Sequence, residues 1–244
     1  MSGRITWATC RRVLIQLSHD HRTLALLVVV PSLLMALLRY MFNNDAAFNA
    51  VALPLLGVFP LVIMFLITSV AMLRERTSGT LERLLTTPMH KLDLLLGYGL
   101  AFALTAALQG VVTTSTAYLL LGLDTAGSAG LVIAVAVSNA VLGMALGLLV
   151  SAFAKSEFQA VQFMPAVVAP QILLCGLFVD RDQMAGWLEA ISDMLPMSYS
   201  VDALKLIGAI SSVSGTLVRD MAVVVGASFV ALALGALTLR RRTE

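Results

Sequence analysis

LLLGYGLAFALTAALQGVVTTSTAYLLLGL (residues 94–123) and TAGSAGLVIAVAVSNAVLGMALGLLVSAFA (residues 125–154) are two long uncharged runs separated only by Asp124. A helix needs about 20 apolar residues to cross the hydrocarbon core of a membrane, and each run exceeds that length. A transmembrane β-strand would instead show about 10 residues of alternating polarity. Because both runs are continuous, they predict two membrane-spanning α-helices.

Four further uncharged runs extend the pattern toward both ends of the chain, at residues 23–38 (extendable past Arg39 to Phe42), 46–73, 158–179 and 221–239. The chain has 244 residues, of which 59% are hydrophobic and only 12% charged, with a mean hydropathy of +0.93. A soluble domain carries about 25% charged residues to cover its surface. The sequence therefore excludes a soluble globular fold. It predicts an all-α membrane protein with six transmembrane helices in a single domain, residues 1–244.

The lysines and arginines predict the orientation of these spans. Of the 16 basic residues, 12 fall in the N-terminal segment, the second and fourth connections and the C-terminal tail. The other four lie in the remaining connections, beside eight acidic residues. This bias predicts that both termini are cytoplasmic and that the protein lies in the cytoplasmic (inner) membrane. Residues 23–42 are interpreted as a retained helix rather than a cleaved signal peptide.

Three stretches outside the spans have helical patterns of their own. Residues 4–20 place Trp7, Cys10, Leu14 and Leu17 on one stripe, which predicts an amphipathic helix lying along the membrane interface. Residues 74–91 form a charged connection with a short helical pattern that ends at Pro88. Residues 180–217, on the predicted outer side, contain two short amphipathic patterns separated by Pro196. They predict a helical hairpin before the last span.

Missing motifs restrict the chemistry of the chain. The sequence has no Gly-x-x-x-x-Gly-Lys-Ser/Thr run for binding a nucleotide and no His-Glu-x-x-His motif for a metal, and its two cysteines suggest no disulfide framework. Ion-coupled carriers place titratable groups at membrane depth. The centres of these spans carry no charge, and their strongest polar residues are Gln109, Asn139, Gln162 and Gln171. The sequence therefore predicts no catalytic residue, no metal site and no proton-coupled transport.

Two motifs carry a resemblance to a known family. The first is Arg74-Glu75-Arg76, followed by Gly79-Thr80-Leu81-Glu82-Arg83-Leu84, Thr87-Pro88 and Leu94-Leu95-Leu96-Gly97. The second is Leu195-Pro196-Met197-Ser198-Tyr199 with Asp202-Ala203-Leu204, just before the last span. In these motifs, and in its length and topology, the chain resembles the ABC-2 family of ABC-exporter permeases, especially the daunorubicin-exporter-like group.

The resemblance implies roles that the spacing alone does not show. The region around Gly79–Thr87 would be a coupling helix that docks on a cytoplasmic ABC ATPase. Residues 4–20 would be the connecting helix of the family, and residues 182–212 its outer helical hairpin. The residues expected to couple to the ATPase are Gly79, Thr80, Leu81, Glu82, Arg83, Leu84, Thr87 and Pro88. The alternative is that residues 74–91 are merely a basic retention loop.

Two spans offer candidate residues for a substrate path. Pro165 and Pro170 free backbone carbonyl groups in the fifth span, and two prolines do the same in the second. The candidates are Phe59, Phe65, Phe158, Gln162, Phe163, Met164 and Gln171. A kinked packing helix is an equally good interpretation of both spans. Gly143 and Gly147 permit close helix contact, for which packing within the chain is favoured over a seam between two copies.

These features predict a permease subunit of an ATP-driven exporter that moves a hydrophobic or amphipathic small molecule or lipid outward. The subunit would not be an enzyme by itself. It would bind no cofactor, since ATP and Mg would be held by two copies of the partner ATPase. A second permease subunit would complete the transporter, with membrane lipid around it and no nucleic acid bound. The alternatives are a membrane scaffold or assembly subunit without transport activity, and an ion-coupled carrier, which the uncharged span centres oppose.

Overall fold

A computed structural model of the chain describes residues 3–78 and 91–238. Within these ranges the protein is all-α, as the sequence predicts, and no strand is present. One short 3₁₀ turn, Arg181–Gln183, accompanies the helices. The helices are α1 (Gly3–His19), α2 (His21–Phe42), α3 (Asp45–Thr77), α4 (Lys91–Leu120), α5 (Ala129–Ser151), α6 (Glu157–Leu174), α7 (Gly186–Met194), α8 (Pro196–Ala209) and α9 (Gly215–Thr238).

Five of the described helices are long and apolar enough to cross a membrane: α2, α3, residues 96–120 of α4, α5 and α9. The predicted fifth span, residues 158–179, corresponds to α6, which has 18 residues and ends at Leu174. The chain leaves the helix there because Gly176 adopts a left-handed φ of +85°, a conformation that glycine takes without strain. The count of six spans therefore stays a prediction.

Polar caps set the boundaries of the first helices in the chain. Asp20 alone separates α1 from α2, and its carboxylate accepts hydrogen bonds from the backbone N–H groups of Arg22 and Thr23. These bonds satisfy two of the free donors at the start of α2. The hydrogen bond from the Thr23 hydroxyl, together with these backbone bonds, lowers the pKa of Asp20. Asn44 caps α3 in the same way through the N–H of Ala47. The chain thus turns sharply between α1 and α2.

The centre of the fold is the close packing of α3 against α5. A Cβ atom added to Gly143 would lie only 2.2 Å from the carbonyl oxygen of Leu61, and one added to Gly147 would lie 2.6 Å from that of Phe65. Both glycines therefore let α5 approach the backbone of α3. The sequence-based preference for packing within the chain agrees with this contact.

Ion pairs hold the hairpin of α7 and α8 together at the end of the bundle where α6 ends. Arg181 contacts the carboxylates of Asp193 and Asp202. Lys205 donates from Nζ to Asp180 Oδ1 at 2.6 Å and to the carbonyl oxygen of Gly176 at 2.7 Å, and the bond from Lys205 lowers the pKa of Asp180. These contacts tie the connection after α6 to α8.

Candidate functional site

The end of the bundle opposite the hairpin is called the basic end below. It comprises α1, the last turn of α3 and the first turns of α4 and α6. The amphipathic helix α1 buries Thr9, Cys10 and Val13, and Cys10 is fully buried. A Cβ atom on Gly97 of α4 would lie 2.6 Å from the Cβ atom of Thr9, so Gly97 permits the close contact of α1 with α4. The apolar face of α1 is therefore packed on the bundle around Cys10 and Val13, whereas Trp7 of the predicted stripe is exposed.

Arg12 joins three helices at the basic end. Its Nη1 lies 3.4 Å from Glu75 Oε1 in the last turns of α3, and its Nη2 donates to the hydroxyl of Tyr98 in α4. The guanidinium carbon also lies 5.5 Å from the centre of the Tyr98 ring, within the range of a cation–π contact. Tyr98 itself is buried. Arg12 thus links α1 to the helix before residues 79–90 and to the helix after them.

A second link joins α3 to α6. Arg74 Nε lies 2.7 Å from Glu157 Oε1, and Arg74 Nη2 lies 3.0 Å from Glu157 Oε2. This two-bond geometry between a guanidinium and a carboxylate is the strong form of the pair, and it lowers the pKa of Glu157. Arg12 and Arg74 together link α1, α3, α4 and α6. These links lie beside the two positions, Ser78 and Lys91, that flank residues 79–90.

The candidate path residues fall into two groups in the structure. Phe65 is fully buried, and Phe163 and Met164 pack against the same hydrophobic cluster. Gln171 is buried and donates to the carbonyl oxygen of Val167 in its own helix at 3.2 Å. Phe59 is half-buried in a different cluster. These residues are part of the core.

Two other candidates, Phe158 and Gln162, lie on the exposed face of α6. Pro165, Ala166 and Pro170 continue this face, and the set is called the α6 stripe below. Gln162 is the polar side chain within it. The structure does not bring Phe158 and Gln162 together with Phe65, because α6 turns the former pair away from the core. Their part in a path stays a prediction.

A sequence profile of the ABC-2 type transporter family matches residues 4–207 of the chain. The chain belongs to the ABC-2 type transporter family. The match includes the basic end, the α6 stripe and most of the hairpin. Within the described residues of this ABC-2 chain, no group of three or more histidine, cysteine, aspartate or glutamate side chains could hold a metal ion.

Curated relatives of this ABC-2 chain are similar over most of its length. A probable multidrug ABC transporter permease, YbhS of Escherichia coli strain K12, is 24% identical over 208 residues, which is 84% of this chain and 55% of the relative. YbhR of the same strain, also a probable multidrug ABC transporter permease, is 24% identical over 170 residues, or 69% of this chain and 46% of the relative.

One of the similar proteins comes from an organism other than Escherichia coli. ABC transporter G family member 20 of Dictyostelium discoideum is 27% identical over 139 residues, which is 57% of this chain and 19% of the relative. The chain spans about half the length of the bacterial relatives that it matches.

The predicted coupling residues, Gly79 to Pro88, lie outside the described residues, so their role stays a prediction. Sequence reasoning missed the two links beside them. In the sequence, Arg12 counts only as a charge that predicts the orientation. Arg74 counts as such a charge and as part of the first motif, and Glu75 only as part of that motif. The motif that holds Arg74 and Glu75 was an available signal for this site. No signal in the sequence connects either residue with Arg12 or Glu157, because these partners lie 63 and 83 positions away.

Proposed function

We propose that this chain is the transmembrane permease subunit of an ATP-driven ABC exporter. The observation that carries the proposal is its membership of the ABC-2 family over residues 4–207. The links at the basic end support it. If the ATPase displaces residues 79–88, these residues must be joined rigidly to the helices that are to move. In this proposal residues 79–88 dock on a cytoplasmic ABC ATPase, and Arg12 and Arg74 transmit the displacement to α1, α3, α4 and α6.

The proposed transporter contains two permease subunits and two ATPase subunits, in the cytoplasmic membrane with both termini of this chain in the cytoplasm. ATP and Mg bind to the ATPase, and the permease supplies the path. Two curated relatives are described as probable multidrug permeases, which supports a hydrophobic or amphipathic substrate moved outward. The α6 stripe supports a path on that face, because Gln162 adds a hydrogen-bonding group to an otherwise apolar surface.

Reconstitution in vesicles tests the proposal. The tagged chain is purified with the ATPase that accompanies it, and uptake of an amphiphilic fluorescent dye is measured with ATP, without ATP and with an imposed pH gradient. We expect uptake only with ATP. A stable membrane protein that stimulates no ATPase and moves no dye would instead indicate the scaffold role, and uptake driven by the pH gradient would contradict the proposal.

The coupling residues are tested by replacing Glu82 and Arg83 with alanine in the same preparation. We expect the double variant to insert and fold, with reduced ATPase stimulation and dye uptake. The control is Asp182→Ala, an exposed acidic residue at the opposite end of the bundle. Full activity of the double variant would contradict a coupling role for residues 79–88, while dye uptake by the wild type would still support the exporter.

A further inference from the structure

A cavity of about 440 Å³ lies between α3, α4, α5 and α9 near the basic end. Its walls are almost entirely apolar, with Leu100, Ala103, Met144, Leu148, Phe229 and Leu232 among them. Its volume lies within the range of about 300–1,000 Å³ that is typical of pockets for small molecules. None of the seven candidate path residues lines it, so the cavity is separate from the predicted substrate path.

Arg76 brings a charge to this apolar cavity. Its side chain is half-buried and forms part of the lining. Among residues 3–78 and 91–238, no carboxylate lies within ion-pair distance of it, and its Nε atom is enclosed without a hydrogen-bond partner. Arg74, two positions earlier, is paired with Glu157. A guanidinium that loses water without gaining an anion is unfavourable, so a negative group from outside the described residues would stabilise the site.

The cavity faces the surroundings of the bundle rather than its centre. α4 and α9 both pack on α5, and the cavity lies between them. Beside its mouth, Leu96, Leu100 and Leu104 of α4 form an exposed stripe, and Phe229 of α9 is 68% exposed. In a protein with several membrane-spanning helices, such apolar faces contact lipid. A ligand from the bilayer can therefore reach Arg76 sideways between α4 and α9.

We propose that this cavity binds one acidic phospholipid, with its phosphate paired with Arg76 and an acyl chain lying between α4 and α9. Arginine suits phosphate because its planar fork of donors forms two parallel hydrogen bonds. Basic pockets between helices on the cytoplasmic side of a membrane protein bind anionic headgroups, and the predicted orientation places Arg76 on that side. The bound lipid would supply the missing anion and fill the apolar space.

Lipid binding to the purified full-length chain tests this proposal directly. Native mass spectrometry in detergent counts retained lipids when phosphatidylglycerol or phosphatidylcholine is added at equal concentration. We expect the wild type to retain one phosphatidylglycerol at least 10-fold more tightly than phosphatidylcholine. Arg76→Gln should abolish this preference, and Arg76→Lys should keep part of it, because lysine retains the charge but lacks the fork.

Two further variants separate a specific site from general attraction. Arg11→Gln removes an exposed cation from α1 at the same end and should leave the preference unchanged. Gly99→Phe should weaken the binding of both lipids at least 10-fold by filling the cavity. Gly99 lines the cavity, and a Cβ atom there would meet no atom within 4 Å. The Cβ atom that Gly99→Phe adds therefore enters open space, and the added ring occupies room that the lipid would need.

Several results would overturn the proposal. An equal preference for phosphatidylglycerol in the wild type and in Arg76→Gln would show that Arg76 does not bind it. Equal losses in Arg11→Gln and Arg76→Gln would indicate only non-specific surface charge. Displacement of the lipid by inorganic phosphate alone would indicate an anion site that does not use the apolar walls. Lipid retention is measured without the ATPase and without transport, so its outcome is independent of the proposed exporter function.

Discussion

Replacing Gly143 with alanine should disrupt the packing of α3 on α5. The new Cβ atom would lie 2.2 Å from the carbonyl oxygen of Leu61, whereas a carbon atom in contact with a carbonyl oxygen needs about 3.3 Å. The helices must therefore separate by about 1 Å at the middle of their contact, because neither atom belongs to a flexible side chain. Overpacking of this kind costs about 1–3 kcal/mol. Alanine gains up to about 1 kcal/mol of helix propensity over glycine, so a net loss of about 1–2 kcal/mol is expected.

Equilibrium unfolding of the purified chain in mixed detergent micelles measures this loss. The control is Gly226→Ala in α9, where the added Cβ atom would meet no atom within 4 Å. That variant should be as stable as the wild type or more stable by up to about 1 kcal/mol. If Gly143→Ala matched the control, the close contact between the two helices would be refuted. If it changed only the association of two copies, Gly143 would belong to a seam between subunits.

Three other changes test the polar contacts. Glu157→Gln removes a carboxylate whose pKa is lowered by Arg74. The stabilisation from this ion pair is fully present above the unfolded pKa of glutamate, about 4.3, and is lost as the pH falls through the folded pKa. The free energy of unfolding should fall by up to about 1 kcal/mol at pH 7 and match the wild type in strong acid. Arg12→Gln should cost about 1–3 kcal/mol, and zero coupling with Glu75→Gln in a double-mutant cycle would refute their contact. Asp20→Ala should cost about 1 kcal/mol and speed amide exchange at the start of α2, whereas Asp20→Asn should not.

The helical architecture could be predicted from the sequence because it depends on local patterns. Long uncharged runs leave the backbone no partner but itself in lipid, so the runs 94–123 and 125–154 each had to contain a helix, and the structure has α4 and α5 there. The stripe containing Cys10 and Leu14 predicted an amphipathic helix at 4–20, and the structure has α1 at Gly3–His19. The early end of α6 was harder, because the apolar run continues past Leu174 while Gly176 takes a left-handed conformation.

The site could be predicted only in part because its contacts join distant parts of the chain. Composition identified Phe65 and Phe158 as similar candidates, yet one is buried and the other is 72% exposed. Periodicity within α6 cannot show which face packs on α3. The lack of an ion-pair partner for Arg76 among the described residues was equally hidden, since Arg74 and Arg76 have the same type and setting in the sequence, and only the position of Glu157 distinguishes them.

The packing also indicates how movement at the basic end would spread through the bundle. α3 is a continuous helix of 33 residues, about 50 Å long, and the glycine contacts with α5 leave no room for one helix to slide across the other. α2 and α6 each bury only three residues, so they separate from their neighbours at lower cost. If an ATPase displaces residues 79–88, α3 and α5 must therefore move as one body. The relative motion would then fall on α2 and on the part of α6 beyond the Arg74–Glu157 pair. The α6 stripe is the exposed face that the proposed path would use.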